Sequence, residues 1–455
     1  MNAQSHQAAQ DRAGPPASDV SAWVGVSGLL ALAGYILLAR HWPDIAEAFD
    51  LPGPRARLSG PYSAFLAMVL TGLVMAAWSI FVDKVHHNPS TGIDWANPRP
   101  LRQALDTAAT KIAGLWATWA LIGFAYCLGR FYWDGQFLFA MEVIGAAALP
   151  MFVLSIPYVL WLDRVLVNPR DGAWHFGALL IGREAWDIER VKKHWRAWTI
   201  KGFFSAFMIS ILPPGFAQVV DADFSQVLHN PVYAGNALLS LMFVVDVQIG
   251  TVGYLLTMRP LDAHIRSGNP LLAGWVAALL CYPPFVYGFM GDGGLLQYEY
   301  NTADWSYWFD GHPAVLWAWA ALLVFLTAVY AWATVAFGIR FSNLTYRGVL
   351  TNGPYRFTRH PAYLSKNMFW WLSTMPMMVT SHSWVDVIRN TVFMACVSGV
   401  YYWRARTEEA HLLAEDAKYR EYHAWMQAHG LVTAPLARLL GRAAVRRQPQ
   451  VQPAE

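Results

Sequence analysis

The chain has 455 residues, of which 56% are hydrophobic and 15% aromatic, while only 14% are charged. Ordinary soluble domains carry about 25% charged residues, so the composition excludes such a domain and indicates an integral membrane protein. The net charge of +3 is too small to suggest a nucleic-acid partner. Cys127, Cys281 and Cys396 all lie in apolar runs, which argues against a disulfide framework or a cysteine-based metal site.

The succession of apolar runs predicts an all-α, polytopic membrane protein with about ten transmembrane helices. Each run is long enough, or nearly so, to cross about 30 Å of hydrocarbon. The ninth run is short and contains Pro376, so we expect it to be tilted, broken or only partly spanning. The predicted crossings are 22–40, 62–83, 107–128, 136–161, 198–218, 232–257, 270–290, 314–338, 363–379 and 384–403.

The distribution of Lys and Arg among the loops predicts that both termini are cytoplasmic. The loop between the fourth and fifth crossings is rich in Arg and Lys, as is the segment 339–362, so both should face the cytosol. The segments 221–230 and 291–312 contain acids but no Lys or Arg, so both should face outwards. Arg55, Arg57 and Arg130 would then lie outside, as exceptions to the rule.

Glu142, Asp246 and Gln248 fall inside predicted crossings. Ionisable residues in a membrane span indicate a functional site by default. An interhelical hydrogen bond explains them equally well.

The segment 353–363 is unusually rich in Arg, His and Tyr for a membrane boundary. Its Gly-Pro start predicts a turn, and Pro361 suits the first turn of the helix that follows. Free backbone N–H groups at that helix end, together with Arg356, Arg359 and His360, would attract a carboxylate or phosphate.

A second polar segment follows the tenth predicted crossing. There Arg404 and Glu408 are four residues apart and share one helix face. The carboxylates of Glu408 and Glu409 can accept hydrogen bonds from sugar hydroxyls or balance a cation. Both segments are cytoplasmic in the predicted topology, so they can meet in one site. The residues alone equally allow arginines that merely obey the positive-inside rule and a solvated pair of glutamates.

The sequence Gly353-Pro354-Tyr355-Arg356, then Arg359-His360-Pro361-Ala362-Tyr363, then Glu408-Glu409, resembles the isoprenylcysteine carboxyl methyltransferase family and the related membrane phospholipid N-methyltransferases. The resemblance covers residues 314–430 and implies an enzyme that binds S-adenosylmethionine at the cytoplasmic face. It implies that Arg404 and Glu409 are catalytic. The cofactor-binding residues that it implies are Tyr355, Arg356, Arg359, His360, Tyr363, Glu408 and Glu409.

The resemblance further implies a direct in-line methyl transfer to an apolar or lipid-like acceptor that enters from the lipid bilayer. We expect a protein of the bacterial inner membrane. Two alternatives remain open: an NADPH-dependent reductase of the sterol reductase type, and a transporter or lipid-binding protein with a vestigial motif. The predicted regions are a disordered tail (1–21), a transmembrane region of unknown role (22–312), a methyltransferase-like membrane domain (313–432) and a basic tail (433–455).

Overall fold

The computed structural model describes residues 14–182, 185–435 and 438. Within them nearly all regular structure is helical, which confirms the predicted all-α fold. The short strands β1 (Ser267–Gly268) and β2 (Thr345–Tyr346) pair antiparallel. The helices are α1 Ala22–Ala48, α2 Pro61–Ala77, α3 Leu101–Leu128, α4 Leu138–Val165, α5 Gly172–Ile181, α6 Ile188–Asp221, α7 Phe224–Val227, α8 Pro231–Leu255, α9 Leu272–Leu279, α10 Phe285–Phe289, α11 Trp305–Trp308, α12 Pro313–Phe337, α13 Pro361–Thr374, α14 Trp384–Glu415 and α15 Ala417–His429.

In the described part of the chain, seven helices are long and apolar enough to cross a membrane. They are α1, α2 (with the π turn that extends it to Val82), α3, α4, α6, α8 and α12. Each of the seven coincides with a predicted apolar run. The protein is therefore a polytopic integral membrane protein, as predicted.

The other three predicted crossings take different forms. The run 270–290 is divided into α9 and α10, and the interruption contains Pro283 and Pro284, which have no backbone donor. Helix α13 has only 14 residues, which is too short for a straight crossing. Helix α14 has 32 residues, but its charged second half leaves it below the apolarity of the other spans.

Several loops come together on one face of the helix bundle, which we call the site face. The segments that meet there are 84–100, 166–171, 256–271 and 341–360. Asn88 and Ser90 donate hydrogen bonds to Asp262 at 3.0 and 2.7 Å, and Arg340 donates to the same carboxylate at 2.8 Å. Pairing of β1 with β2 joins two of these segments directly. These loops are the ones predicted to be cytoplasmic.

On the opposite face, Arg40 and Arg57, the second of which is an exception to the predicted charge rule, donate hydrogen bonds to backbone carbonyls. Arg40 donates to the backbone carbonyls of Val219, Val220 and Ala222 at 2.8 Å each, and Arg57 donates to that of Asp221 at 3.1 Å. These carbonyls lie at or next to the C-terminal end of α6, where the helix dipole favours a positive charge. Their position is thus explained by helix capping rather than by membrane topology.

The N-terminal segment packs onto the site face before α1 begins. Asp19 accepts a hydrogen bond from the backbone of Val349 at 2.7 Å and pairs with Lys418, while the Thr351 hydroxyl donates to the carbonyl of Pro16 at 2.7 Å. These contacts involve residues 16 and 19 of the predicted tail 1–21. Residues 1–13 and most of the predicted tail 433–455 lie outside the described residues.

Two of the polar residues in the membrane spans, Asp246 and Gln248, make interhelical hydrogen bonds. Asp246 on α8 accepts a hydrogen bond from Thr334 on α12, and Gln248 donates to the carbonyl of Ala64 on α2 at 3.2 Å. Glu142 lies exposed on α4. Helix α12 packs along both α8 and α13, so the C-terminal part of the chain is continuous with the N-terminal helices.

Candidate active site

A short 3-10 turn at Gly353–Arg356 leads into the site. Gly353 has φ +56° and lies so close to α12 that a Cβ would come within 3.1 Å of Ala336. The ring of Tyr355 packs edge-on against Phe337, and its carbonyl accepts a hydrogen bond from Tyr422 at 2.7 Å. The turn is therefore held between α12 and α15.

Helix α13 begins at Pro361, as the sequence predicts. The sequence predicts that this helix end attracts a carboxylate. In the structure that carboxylate is the protein's own Glu409. Glu409 on α14 is 3% exposed, and its Oε1 lies 3.0 Å from His360 Nε2 and 2.7 Å from Arg359 Nε. Its Oε2 lies 2.9 Å from Arg406 Nη1.

The environment of Glu409 keeps it ionised. Burial alone would raise the pKa of Glu409, but hydrogen bonds from His360 and His423 and the charge of Arg359 hold that pKa well below its usual value of 4.5. A buried carboxylate that is surrounded by cations and donors fixes their positions.

A second carboxylate, Glu408, is 20% exposed and bound differently. It accepts a hydrogen bond from the Tyr363 hydroxyl at 2.6 Å and lies 3.3 Å from Arg404 Nε. Arg404 is 2% exposed, donates to Asn343 Oδ1 at 2.6 Å and lies 5.0 Å from the centre of the Tyr363 ring. These four side chains form a connected network between α13, α14 and the 341–360 segment.

The network borders a cavity that we call cavity 1. Of the predicted site residues, Tyr355, Arg359, His360, Tyr363, Arg404 and Glu408 line it. Glu409 lies behind Arg359 and His360 and is not part of the lining. Arg356 is exposed, and the structure does not bring it to the cavity. Seven tyrosines line cavity 1: Tyr282, Tyr330, Tyr355, Tyr363, Tyr401, Tyr419 and Tyr422.

Comparison with known proteins identifies the part of the chain that carries this site. Residues 315–414 match the isoprenylcysteine carboxyl methyltransferase (ICMT) family. The matched segment includes α13 and most of α14, and hence Glu408, Glu409 and Arg404. This confirms the resemblance in the C-terminal part and supports a membrane methyltransferase. No curated protein and no solved structure matched the chain.

Some side chains in cavity 1 lie outside the ICMT match. Tyr282 and Val20 belong to the N-terminal part of the chain. Asn343, which lies within the match, donates from Nδ2 to the hydroxyls of Tyr254 and Tyr282 at 2.7 and 3.0 Å. Through Asn343 the N-terminal helices therefore contact Arg404.

Lys366 is a further lining residue that sequence reasoning missed. Its Nζ lies 5.0 Å from the centre of the Trp370 ring and 5.5 Å from that of Tyr330. Lys366 lies inside a predicted apolar run, and a charged residue there is a weak indication of a site. No sequence pattern indicates that Asn343 belongs to the site.

Proposed function

We propose that this protein transfers a methyl group from S-adenosylmethionine to an apolar or lipid-like acceptor in cavity 1. The observation that carries the proposal is the pairing of Glu408 with Tyr363 and Arg404 in the wall of a tyrosine-rich cavity within an ICMT-like segment. The positive-inside distribution of charge supports a cytosolic site face, where the polar donor is available.

The cavity has groups that suit each polar part of the donor. Tyrosine ring faces attract cations such as a sulfonium, and the Glu408 carboxylate suits an ammonium or ribose hydroxyls. Arg359 Nη1 is buried, and within the described residues it has no hydrogen-bond partner. Because Arg359 also lines cavity 1, we assign it to the carboxylate of the donor.

Glu409 acts in this proposal as a positioning residue. It contacts Arg359 and His360 from behind the cavity wall and holds them in place. This differs from the catalytic role expected from the sequence, because Glu409 has no surface in the cavity.

When bound, S-adenosylmethionine supplies a methyl group whose bond to sulfur breaks as the bond to the acceptor forms. The chain's own residues align the two partners and keep water out. Arg404, held by Asn343 and Glu408, is placed to orient the acceptor's reacting group. The apolar residues Phe337, Leu344 and Leu350 line the same cavity and favour an acceptor with an apolar body.

The test is binding of labelled S-adenosylmethionine to the purified full-length protein in detergent. We expect Glu408→Gln and His360→Ala to abolish measurable binding. The control Glu189→Gln, an exposed residue paired with Lys192, should bind normally. Unchanged affinity in both site variants would contradict the assignment, and thermal protection by NADPH but not by S-adenosylmethionine would indicate a reductase instead.

The acceptor is identified in a second experiment. Membranes with and without the protein are supplied with methyl-labelled donor, and the lipids and small molecules are analysed by mass spectrometry. A labelled apolar product that requires Glu408 supports the proposal, whereas label found only in water-soluble products contradicts the acceptor class.

A further inference from the structure

A second cavity, cavity 2, lies on the site face within the N-terminal helices. Its walls come from α3, the end of α4, the start of α6 and the segments 167–173 and 257–267. None of its lining residues belongs to the segment that matches the ICMT family. The cavity is therefore not explained by the proposed methyl transfer.

The lining of cavity 2 is strongly cationic. Among the described residues, seven Lys and Arg side chains line it against four carboxylates. One of these cations, Lys111, is already neutralised, since its Nζ lies 2.5 Å from Asp163 and 3.1 Å from Asp171. The other six are Arg170, Arg190, Lys193, Lys201, Arg259 and Arg266.

Of these six cations, Arg266 pairs with Asp262 at 3.4 Å, whereas Lys193, Lys201 and Arg259 have no carboxylate within 4.0 Å among the described residues. Asp187 caps the start of α6 and lies 3.8 Å from Arg190, while Glu189 pairs at 2.8 Å with Lys192, which is outside the cavity. Burial, followed by the charge of Arg259, lowers the pKa of His264 to about 3, so this lining residue stays neutral. The cavity therefore keeps an excess of positive charge.

Two of the cations are held in place without a counter-ion. Lys201 Nζ lies 3.3 Å from the Thr257 hydroxyl and 3.4 Å from the centre of the Trp198 ring. Arg259 donates to the backbone carbonyl of Thr91 at 3.1 Å. Within the described residues neither side chain has a carboxylate within the 4.0 Å of an ion pair. Both side chains are thus held in place by neutral groups and not by a carboxylate.

The geometry of α6 directs its cations into the cavity. Lys193, Ala197 and Lys201 are spaced four residues apart and therefore share one helix face. All three line cavity 2, whereas the neighbouring Lys192 does not. Opposite this face, Leu115, Val159 and Leu162 provide an apolar wall.

We propose that cavity 2 binds a phosphate group, either as the headgroup of an anionic lipid or as free phosphate. Phosphate offers several oxygens, which suits cations that converge from α6 and from the 257–267 segment. The apolar wall suits the glycerol and acyl part of a lipid. Ser267 of cavity 2 lies 2.9 Å (Oγ–Nε2) from His411 of cavity 1, so the two sites are neighbours with separate linings.

The test measures binding to the full-length protein without a methyl donor, so its result does not depend on the proposed methyl transfer. Native mass spectrometry records adducts with phosphatidylglycerol and with diacylglycerol, which has no phosphate. Thermal unfolding is followed in parallel with inorganic phosphate. The variants are Lys201→Met, Lys193→Gln and the control Lys192→Gln.

We expect each cavity variant to weaken phosphate-dependent binding about fivefold, with Lys192→Gln unchanged. Variant-sensitive binding of phosphatidylglycerol supports a lipid headgroup, and variant-sensitive stabilisation by inorganic phosphate alone supports a soluble ligand. The proposal is overturned if neither probe binds, if diacylglycerol binds equally well, or if Lys193→Gln matches Lys192→Gln. The comparison of Lys193→Gln with Lys192→Gln remains valid if Lys201→Met does not fold, because Lys193 is exposed.

Discussion

His360 Nε2 lies 3.0 Å from Glu409 Oε1, and this contact joins the start of α13 to the buried side of α14. Arg359 shares the same carboxylate oxygen at 2.7 Å. Arg359 and His360, two of the residues that line cavity 1 from the 353–363 segment, are thus held by one glutamate outside the cavity. The stability of this arrangement can be tested separately from any activity.

Glu409→Gln should destabilise the protein by about 3 kcal/mol, because it leaves buried cations without their counter-charge. The measurement is chemical unfolding in detergent. Arg406→Ala is the matched control, since it removes only the contact of an arginine that is 58% exposed and should cost about 0.5 kcal/mol or less. Equal losses in the two variants would mean that Glu409 does not organise the site.

The depressed pKa of Glu409 predicts how this stabilisation depends on pH. A carboxyl group whose pKa is lowered on folding stabilises the protein above its ordinary pKa, here 4.5, and loses that effect as the pH falls through the lower folded-state pKa. The stability difference between wild type and Glu409→Gln should therefore be constant from about pH 8 to about pH 5.5 and shrink below pH 4.5. Unfolding midpoints of both proteins across this range provide the check, and a difference that shrinks already near neutral pH would refute the assignment.

Tyr363→Phe removes the hydrogen bond to Glu408 but keeps the ring that stacks on His360 at 5.5 Å. We expect the affinity for S-adenosylmethionine to fall about fivefold, because Glu408 loses one of the donors that orient it. Equilibrium binding of labelled donor is the measurement. Tyr402→Phe is the control, since this tyrosine is 69% exposed on the same helix as Glu408. Equal affinities in both variants would contradict a role for the Tyr363 hydroxyl.

A close crossing of α3 and α5 gives a prediction about the N-terminal helices. A Cβ on Gly114 would lie 2.0 Å from the Ala173 carbonyl oxygen and 2.6 Å from the Gly177 backbone nitrogen. Gly114→Ala must therefore push the two helices apart, and we expect a loss of about 2–3 kcal/mol in unfolding experiments.

Gly123 lies on the same helix but has open space around it. Gly123→Ala should leave the fold intact and stabilise it by about 0.5–1 kcal/mol, because alanine restricts the unfolded chain and favours helix. A destabilised Gly123→Ala or a neutral Gly114→Ala would show that α3 and α5 do not cross as described.

The sequence predicts those parts of the fold that depend on local patterns. Seven apolar runs became long helices because their length and composition alone suffice to bury them in a membrane. The run 270–290 looked similar by composition, but it is divided into α9 and α10 around Pro283-Pro284, whereas α6 continues through Pro213-Pro214. Hydropathy measures transfer to lipid and is insensitive to the loss of backbone donors that proline causes.

The candidate site was predictable to the extent that its residues cluster in the chain. Arg359, His360, Tyr363 and Glu408 meet because two dense motifs lie on adjacent helices. Arg356 belongs to the same motif but faces away, because the orientation of a side chain on a 3-10 turn depends on how the turn packs. Tyr282, far away in sequence, reaches the cavity only through tertiary packing.

Asn343 also reaches its partners only through tertiary packing. Its Oδ1 accepts a hydrogen bond from Arg404, and its Nδ2 donates to Tyr254 and Tyr282. Asn343→Leu should cost about 2 kcal/mol in unfolding experiments, because a buried guanidinium loses its acceptor. Incorporation of labelled methyl groups into lipid extracts should fall strongly in this variant.

Asn343→Asp is the informative comparison, because it retains an oxygen acceptor for Arg404 while the two tyrosine hydroxyls become donors. We expect it to recover methyl incorporation relative to Asn343→Leu. A variant with aspartate that is as inactive as the one with leucine would show that the amide group, and not the support of Arg404, is what the site requires. Recovery would instead support the proposed role of Arg404 and its dependence on an oxygen acceptor at position 343.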